Sequence, residues 1–378
     1  MAVLYFNEDH EGIRDMVREF TEKELAAARH EIDEQEKMPE EIVDTMKEMG
    51  LMGLLIPEEY GGAGMDLRAY TLVTEELCKE CPAASVFISA LSCEPILYGG
   101  SEEQKKEYLP KLATGEITAA FGLTEPGAGS DAASIQTKAV KDGDYYILNG
   151  RKCFISLAPV ADYTIVYAKT APELGAKGIS AFMVDMKLPG VSTGKPEEKM
   201  GQRGTPVSDV ILEDVRVPAS CMIGEENMGF INAMKTLNNG RTGVAAMALG
   251  MMEKAIELAT QYSKDRVQFG KPLCKHQAIA FMLADMKTKC EAARELIYHA
   301  AYEVDMHEKD ATMCASMAKY FACENAIKVI SDALQIFGGY GYSREYQIEQ
   351  IYRDIRVNAI YEGSSQVQQM VISGALLK

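Results

Sequence analysis

The sequence predicts a multidomain α+β protein built in three parts, helical, then β, then helical. Its 378 residues exceed the roughly 100–200 that one compact core holds. Apolar residues recur with a helical period up to about residue 118, with period two to about 226, and with a helical period again to the end. Helices and strands do not alternate, which argues against a doubly wound parallel sheet. The expected domains are therefore 1–118 (helical), 119–226 (β) and 227–378 (helical bundle).

In the first domain Ile13, Met16, Val17 and Phe20 form one helical stripe and Ile42, Val43 and Met46 another. Pro57 with Gly61, Gly62 and Gly64 closes one unit and Pro82 another, and Ser101 to Gln104 is a capping box. The stretch 83–98 is expected as a single helix with Phe87 and Leu91 one turn apart. In the second domain, DYYILNG, YTIVYAK, ISAFMVDM and VSDVILEDVRV alternate as strands do, and Asp142-Gly143 and Asn149-Gly150 are expected turns. The third opens with a stripe through Val244, Met247, Met251, Ala255 and Ala259, and three more long helices follow, over 277–304, 314–338 and 343–357. The 22 methionines lie largely on such stripes, where packing explains them.

Charge and composition narrow the function. Lys and Arg number 39 against 56 Asp and Glu, a net charge of −17 that opposes binding to nucleic acid or an anionic membrane. The first 20 residues carry acidic groups where a targeting segment would carry basic ones, and no apolar run reaches the roughly 20 residues of a membrane span, so a cytoplasmic location is expected. Nine scattered cysteines suit reduced thiols, and Cys78-x-x-Cys81, lacking a second pair or nearby His, reads as thiols at a helix end. No metal site is expected from the five histidines. The phosphate loop, the Rossmann glycine pattern, the nucleophile elbow and the zinc protease motif are all missing from the sequence.

What stands out is FGLTEPGAGSDAAS at 121–134, a loop of glycines and hydroxyls that can present backbone N–H groups to a ligand. QIFGGYGYSRE at 335–345 and YEGSSQ at 361–366 are also unusual. Glu362 in the latter is either an exposed helix-start residue or a desolvated base.

Taken in order, PEEYGG (57–62), LTEPGAGSD, NGRKCFIS (149–156), LNNGR (237–241), RVQFGKPL (266–273), QIFGGYGY (335–342) and IYEGSSQ (360–366) resemble the acyl-CoA dehydrogenase family over the whole chain. The wording is most similar to its short-chain, butyryl-CoA dehydrogenase branch. The resemblance implies a helical N-terminal domain, a middle β-barrel, a C-terminal four-helix domain, FAD at subunit contacts of a homotetramer, and electron-transferring flavoprotein as electron partner. It implies that Phe121, Leu123, Thr124, Gly129, Ser130, Phe154, Ile155 and Ser156 line the flavin, and that Arg266, Phe269, Gln277, Gln335, Gly338 and Gly339 hold its adenine side across a subunit boundary. Ser364 and Gln366 join the cofactor set. CoA thioester is expected at Ser130, Asn238, Arg241, Tyr361 and Gly363.

Under the same resemblance Glu362 is the catalytic base, removing the α-proton of an acyl-CoA as hydride leaves the β-carbon for flavin N5. Some branches place the base just before the arginine equivalent to Arg241; here that position is Gly240. Asn238, Ser156-Leu157 and Ser364-Ser365-Gln366 depart from the usual Asp, Thr-Asn and Thr-Ser-Glu. Bulk at Phe87 and Leu91 argues for a short acyl chain, while Cys93-Glu94 reads either as surface or as a recogniser of a functionalised acyl group. The same site run in reverse is a 2-enoyl-CoA reductase on crotonyl, acrylyl or aryl-acrylyl thioesters. A flavin-free acyl-CoA-binding protein and an acyl-CoA oxidase are the remaining alternatives.

Overall fold

A computed structural model describes residues 5–377. Helix α1 (Glu8–Phe20) starts on an Asn7 capping box, passes through a single π-helical turn and continues as α2 (Ala26–Gln35). Val17 and Phe20 face the core as the stripe requires, but Met16 is 39 % exposed, because the helix buries only a narrow edge. α3 (Glu40–Glu48) follows, then α4 (Leu67–Leu77), capped by Asp66 and buried at every residue but Arg68. It lies between α1 and two long helices of the C-terminal domain, so its polar Glu75 needs a partner: Arg294 at 2.6 Å and the Tyr298 hydroxyl at 2.7 Å supply one.

The stretch 83–98 is not one helix. It comprises α5 (Pro82–Phe87), an extended Ser89, one 3-10 turn and α6 (Glu94–Gly99). Pro82 opens α5 rather than closing a unit, and Pro95 restarts the chain in α6, since each lacks an N–H that a first turn leaves unused. Cys78 and Cys81 do sit at helix ends, buried, with Cys81 pushed up to about 12 by burial. α7 (Glu102–Ala113) begins on the Ser101–Gln104 capping box.

The middle domain is one mixed sheet of eight strands: β1 (Ala119–Gly122), β2 (Lys138–Asp142), β3 (Tyr145–Ser156), β4 (Tyr163–Lys169), β5 (Ile179–Asp185), β6 (Val191–Thr193), β7 (Val207–Pro218) and β8 (Met222–Ile223). Their order is β6-β7-β3-β2-β4-β5-β8, with β1 parallel to β4. The expected hairpin forms one residue later than Asp142-Gly143, with Asp142 paired to Tyr145 and Gly143-Asp144 as its loop, but Asn149-Gly150 lies inside β3 at a bulge, where the register slips against β7. Its core gathers Val166, Phe182, Val184, Val210 and Leu212, all from inward strand positions.

α8 (Gly229–Asp265) spans 37 residues, about 55 Å, and its buried methionines and alanines are the spine of the C-terminal bundle. A short hairpin, β9 (Val267–Gln268) and β10 (Lys271–Pro272), leads to α9 (Gln277–Asp305) and α10 (Ala311–Phe337). α11 is only Gln347–Ile355, shorter than expected, because Tyr346 is extended and the chain tightens to 3-10 geometry at 356–359. α12 (Ser365–Leu376) closes the chain. Among the described residues no helix is long and apolar enough to cross a membrane and no cluster of metal-ligating side chains occurs.

Candidate active site

The three domains enclose one large cavity of about 1170 Å³. Its middle-domain wall is the end of β1, the loop after it and the end of β3; α5 and the turn after it contribute Phe87 and Leu91; α8 contributes Gly240, Arg241 and Val244; and the 360–363 segment contributes Tyr361, Glu362 and Gly363. Of the residues expected at a flavin, Phe121, Leu123, Thr124, Gly129, Ser130, Phe154, Ile155 and Ser156 all line it.

The 121–134 loop is held by a buried ion pair that sequence reading missed. Lys152, on β3 and 0 % exposed, donates to Glu125 at 2.8 Å and to the Leu123 carbonyl at 3.1 Å. The Glu125 carboxylate also accepts the N–H groups of Gln136 and Thr137. Burial pushes Lys152 down to about 8; at Glu125 burial acts upward, but the lysine and these hydrogen bonds outweigh it and hold the carboxyl low. Next on β3, a second register slip between Lys152 and Ile155 turns Phe154 outward at φ +57°, leaving it 68 % exposed toward the cavity. A large apolar ring held in a disfavoured backbone state and facing open space suits a flat, partly apolar group laid against it. The exposed hydroxyl-bearing Ser130 and bare Gly129 beside it suit the polar end of such a group, so these residues fit a flavin.

Glu362 lines the same cavity, at φ +50° and followed by Gly363 at φ +89°. Its Oε2 is buried without a hydrogen-bond partner. Burial raises the carboxyl to about 7, against the opposing pull of Lys319 and Arg241. Gly240 is what makes room for it: a Cβ there would overlap Glu362 Oε2 and come within 3.4 Å of Leu91. Arg241 is 6 % exposed, donates to Asn238 Oδ1 at 2.7 Å and keeps a buried Nε without a partner. Burial lowers its pKa while Glu362 opposes that. Asn238 itself does not line the cavity; its amide donates to Thr312 at 2.9 Å, so it acts by orienting Arg241.

Cys93 and Glu94 are neither surface groups nor cavity walls. Both are buried, and Glu94 accepts from Tyr98 at 3.2 Å and Asn239 at 2.5 Å. Burial raises Glu94 to about 8. The signal that misled is the short helix start at Pro95, which ordinarily exposes its first acidic residue.

The remaining expected residues lie apart. Arg266, Phe269, Gln277, Gln335, Gly338 and Gly339 occupy an exposed face of the C-terminal domain, where the Arg266 guanidinium sits 5.5 Å from the Tyr340 ring and Phe269 is 95 % exposed at φ +53°. Ser364 caps α12 by accepting from Val367, and Gln366 is exposed.

The chain matches models of the acyl-CoA dehydrogenase N-terminal domain at residues 7–116, the middle domain at 120–215 and the C-terminal domain at 227–377. It is 53 % identical over 378 residues to the 3-(aryl)acrylate reductase of Clostridium sporogenes, covering 99 % of this chain and 100 % of that one. It is 51 % identical to a subunit of the caffeyl-CoA reductase–Etf complex of Acetobacterium woodii, with 99 % and 100 % covered. The structure of butyryl-CoA dehydrogenase from Megasphaera elsdenii superposes with a TM-score of 0.96 at 43 % identity, over 99 % of both chains.

Proposed function

The chain belongs to the acyl-CoA dehydrogenase family of flavin-dependent oxidoreductases, and on that premise we propose that it moves hydrogen across the Cα–Cβ bond of a short acyl-CoA thioester. The observation that carries the proposal is Glu362: a buried carboxylate oxygen, free of protein partners, on a residue that lines the same cavity as the residues that fit a flavin. FAD, when bound, supplies the acceptor for the hydrogen and two electrons that leave Cβ. The work of the chain is to hold the thioester and manage the α-proton. Phe87 and Leu91 limit the acyl end, and Arg241 offers a fixed cation to the CoA side. The Glu362 N–H makes no hydrogen bond to protein among the described residues, so it is free to donate to the thioester oxygen and acidify the proton beside it. A carboxyl near pH 7 accepts that proton at Oε2, and the apolar wall excludes water.

The far half of FAD is assigned to Arg266, Phe269, Gln277, Gln335, Gly338 and Gly339 of a second copy, within a homotetramer. The exposed Phe269 and its strained backbone support that reading. Electrons are exchanged with electron-transferring flavoprotein. A reductase role is favoured by two relatives named as reductases, at 53 % and 51 % identity.

The test is anaerobic titration of the yellow protein with butyryl-CoA, alongside Glu362→Gln. Bleaching in the wild type but not in the variant supports dehydrogenation through Glu362. A wild type that binds butyryl-CoA unbleached, yet reoxidises a chemically reduced flavin with crotonyl- or cinnamoyl-CoA, supports the reductase. A colourless protein that takes up no FAD refutes both.

A further inference from the structure

Glu362 adopts a left-handed backbone conformation that costs a non-glycine residue of order 1 kcal/mol, and the structure over-determines it. Three consecutive carbonyls around it are held from two helices. The Lys319 ammonium on α10 donates to the Tyr361 carbonyl at 2.9 Å and to that of Gly363 at 2.7 Å. The Gln368 amide on α12 donates to the Glu362 carbonyl at 3.3 Å and to that of Gly363 at 2.8 Å. Lys319 is 1 % exposed and Gln368 0 %. A Cβ on residue 363 would stand 2.6 Å from the Gln368 amide, so glycine there is what lets the clamp close. Among the described residues Lys319 has no carboxylate within ion-pair distance, an expensive state for a buried ammonium if it served packing alone.

We propose that Lys319 and Gln368 are positioning residues for the reacting carboxylate: together they pin the 361–363 backbone that sets Glu362 in the cavity wall with its Oε2 against Gly240, and Lys319 adds a fixed cation near it. The inference rests on the acyl-CoA reading of the site. The charged and titratable groups around Glu362 are Lys319 and Cys323 of α10, Arg241 of α8, Tyr70 of α4, Glu94 of α6 and the adjacent Tyr361. Only two are cations. Removing Lys319 therefore disfavours the ionised carboxylate, and the acid limb of proton abstraction moves to higher pH.

The experiment is the rate of anaerobic flavin bleaching by butyryl-CoA, followed against pH in the flavin-loaded wild type, Lys319→Met, Lys319→Arg and Gln368→Leu. Lys319→Met is expected to slow bleaching about 100-fold through misplacement of the carboxylate. Its acid limb should rise by about one pH unit, and Lys319→Arg should recover about tenfold of the rate with the limb returned. Gln368→Leu removes a clamp without touching charge, so the rate falls with the limb unmoved, and this arm stands even where Lys319→Met does not fold. A Lys319→Met rate within threefold of wild type, a slowed rate with an unmoved limb, or an unaffected Gln368→Leu overturns the proposal. Where butyryl-CoA does not bleach the wild type, the same rates are read as reoxidation of the chemically reduced flavin by crotonyl-CoA, and a wild type that responds to neither thioester overturns the underlying reading instead.

Discussion

Replacing Glu362 by Gln should make the protein more stable while removing its activity, and only above a defined pH. The folded carboxyl titrates at about 7 against an ordinary 4.5, so the folded chain holds this proton more tightly than the unfolded one. Stability from this group is therefore complete below about pH 4.5 and is lost as pH rises through 7. The difference is worth at most about 3 kcal/mol. Gln keeps the shape of the protonated acid and never ionises, so the variant escapes that loss. For a chain of this length about 3 kcal/mol corresponds to roughly 4 °C in Tm. The assay is thermal unfolding of wild type and variant at pH 5 and pH 8 in one buffer system. The Tm difference should be about 1 °C at pH 5 and about 4 °C in favour of the variant at pH 8. A constant difference at both pH values would refute the claim that burial strains the charged form of this residue.

Three further outcomes follow from the packing. Gly240→Ala places a methyl against Glu362 Oε2, so bleaching by butyryl-CoA should fall about 100-fold while flavin absorbance is retained. Lys152→Met leaves Glu125 buried and unpaired, with an expected loss of about 3–5 kcal/mol and release of the 121–134 loop; a lower Tm with reduced flavin absorbance per chain checks it. Phe87→Ala opens the acyl end, and kcat/KM for a phenylpropionyl thioester relative to butyryl should rise about tenfold.

The three-part order was legible from periodicity because each domain buries its own face: the switch from a helical period to a period of two coincides with β1, and the switch back with α8. Local turn chemistry was less reliable. Asn149-Gly150 has the composition of a hairpin turn, yet partners on β7 continue the ladder past it and convert it to a bulge. Likewise 83–98 has a continuous helical stripe, but Pro95 and the packing of Leu91 toward α8 break it into three pieces.

The sequence by itself determined the order of domains and, through contiguous motifs such as TEPGAGSD and YEGSS, the residues that meet at the cavity, since each motif is one turn or loop whose conformation is local. Tertiary structure alone decided what acts on them. The space that Gly240 leaves for Glu362, the Lys152 anchor under the 121–134 loop, the burial of Glu94 and the two-helix clamp of Lys319 and Gln368 join positions far apart along the chain. Lys319 carried one sequence signal, a lone charge on the buried face of an alanine-rich helix, but its two carbonyl partners come from 42 and 44 residues away. Burial, close approach and electric field are properties of position in space, and no period or motif along the chain encodes them.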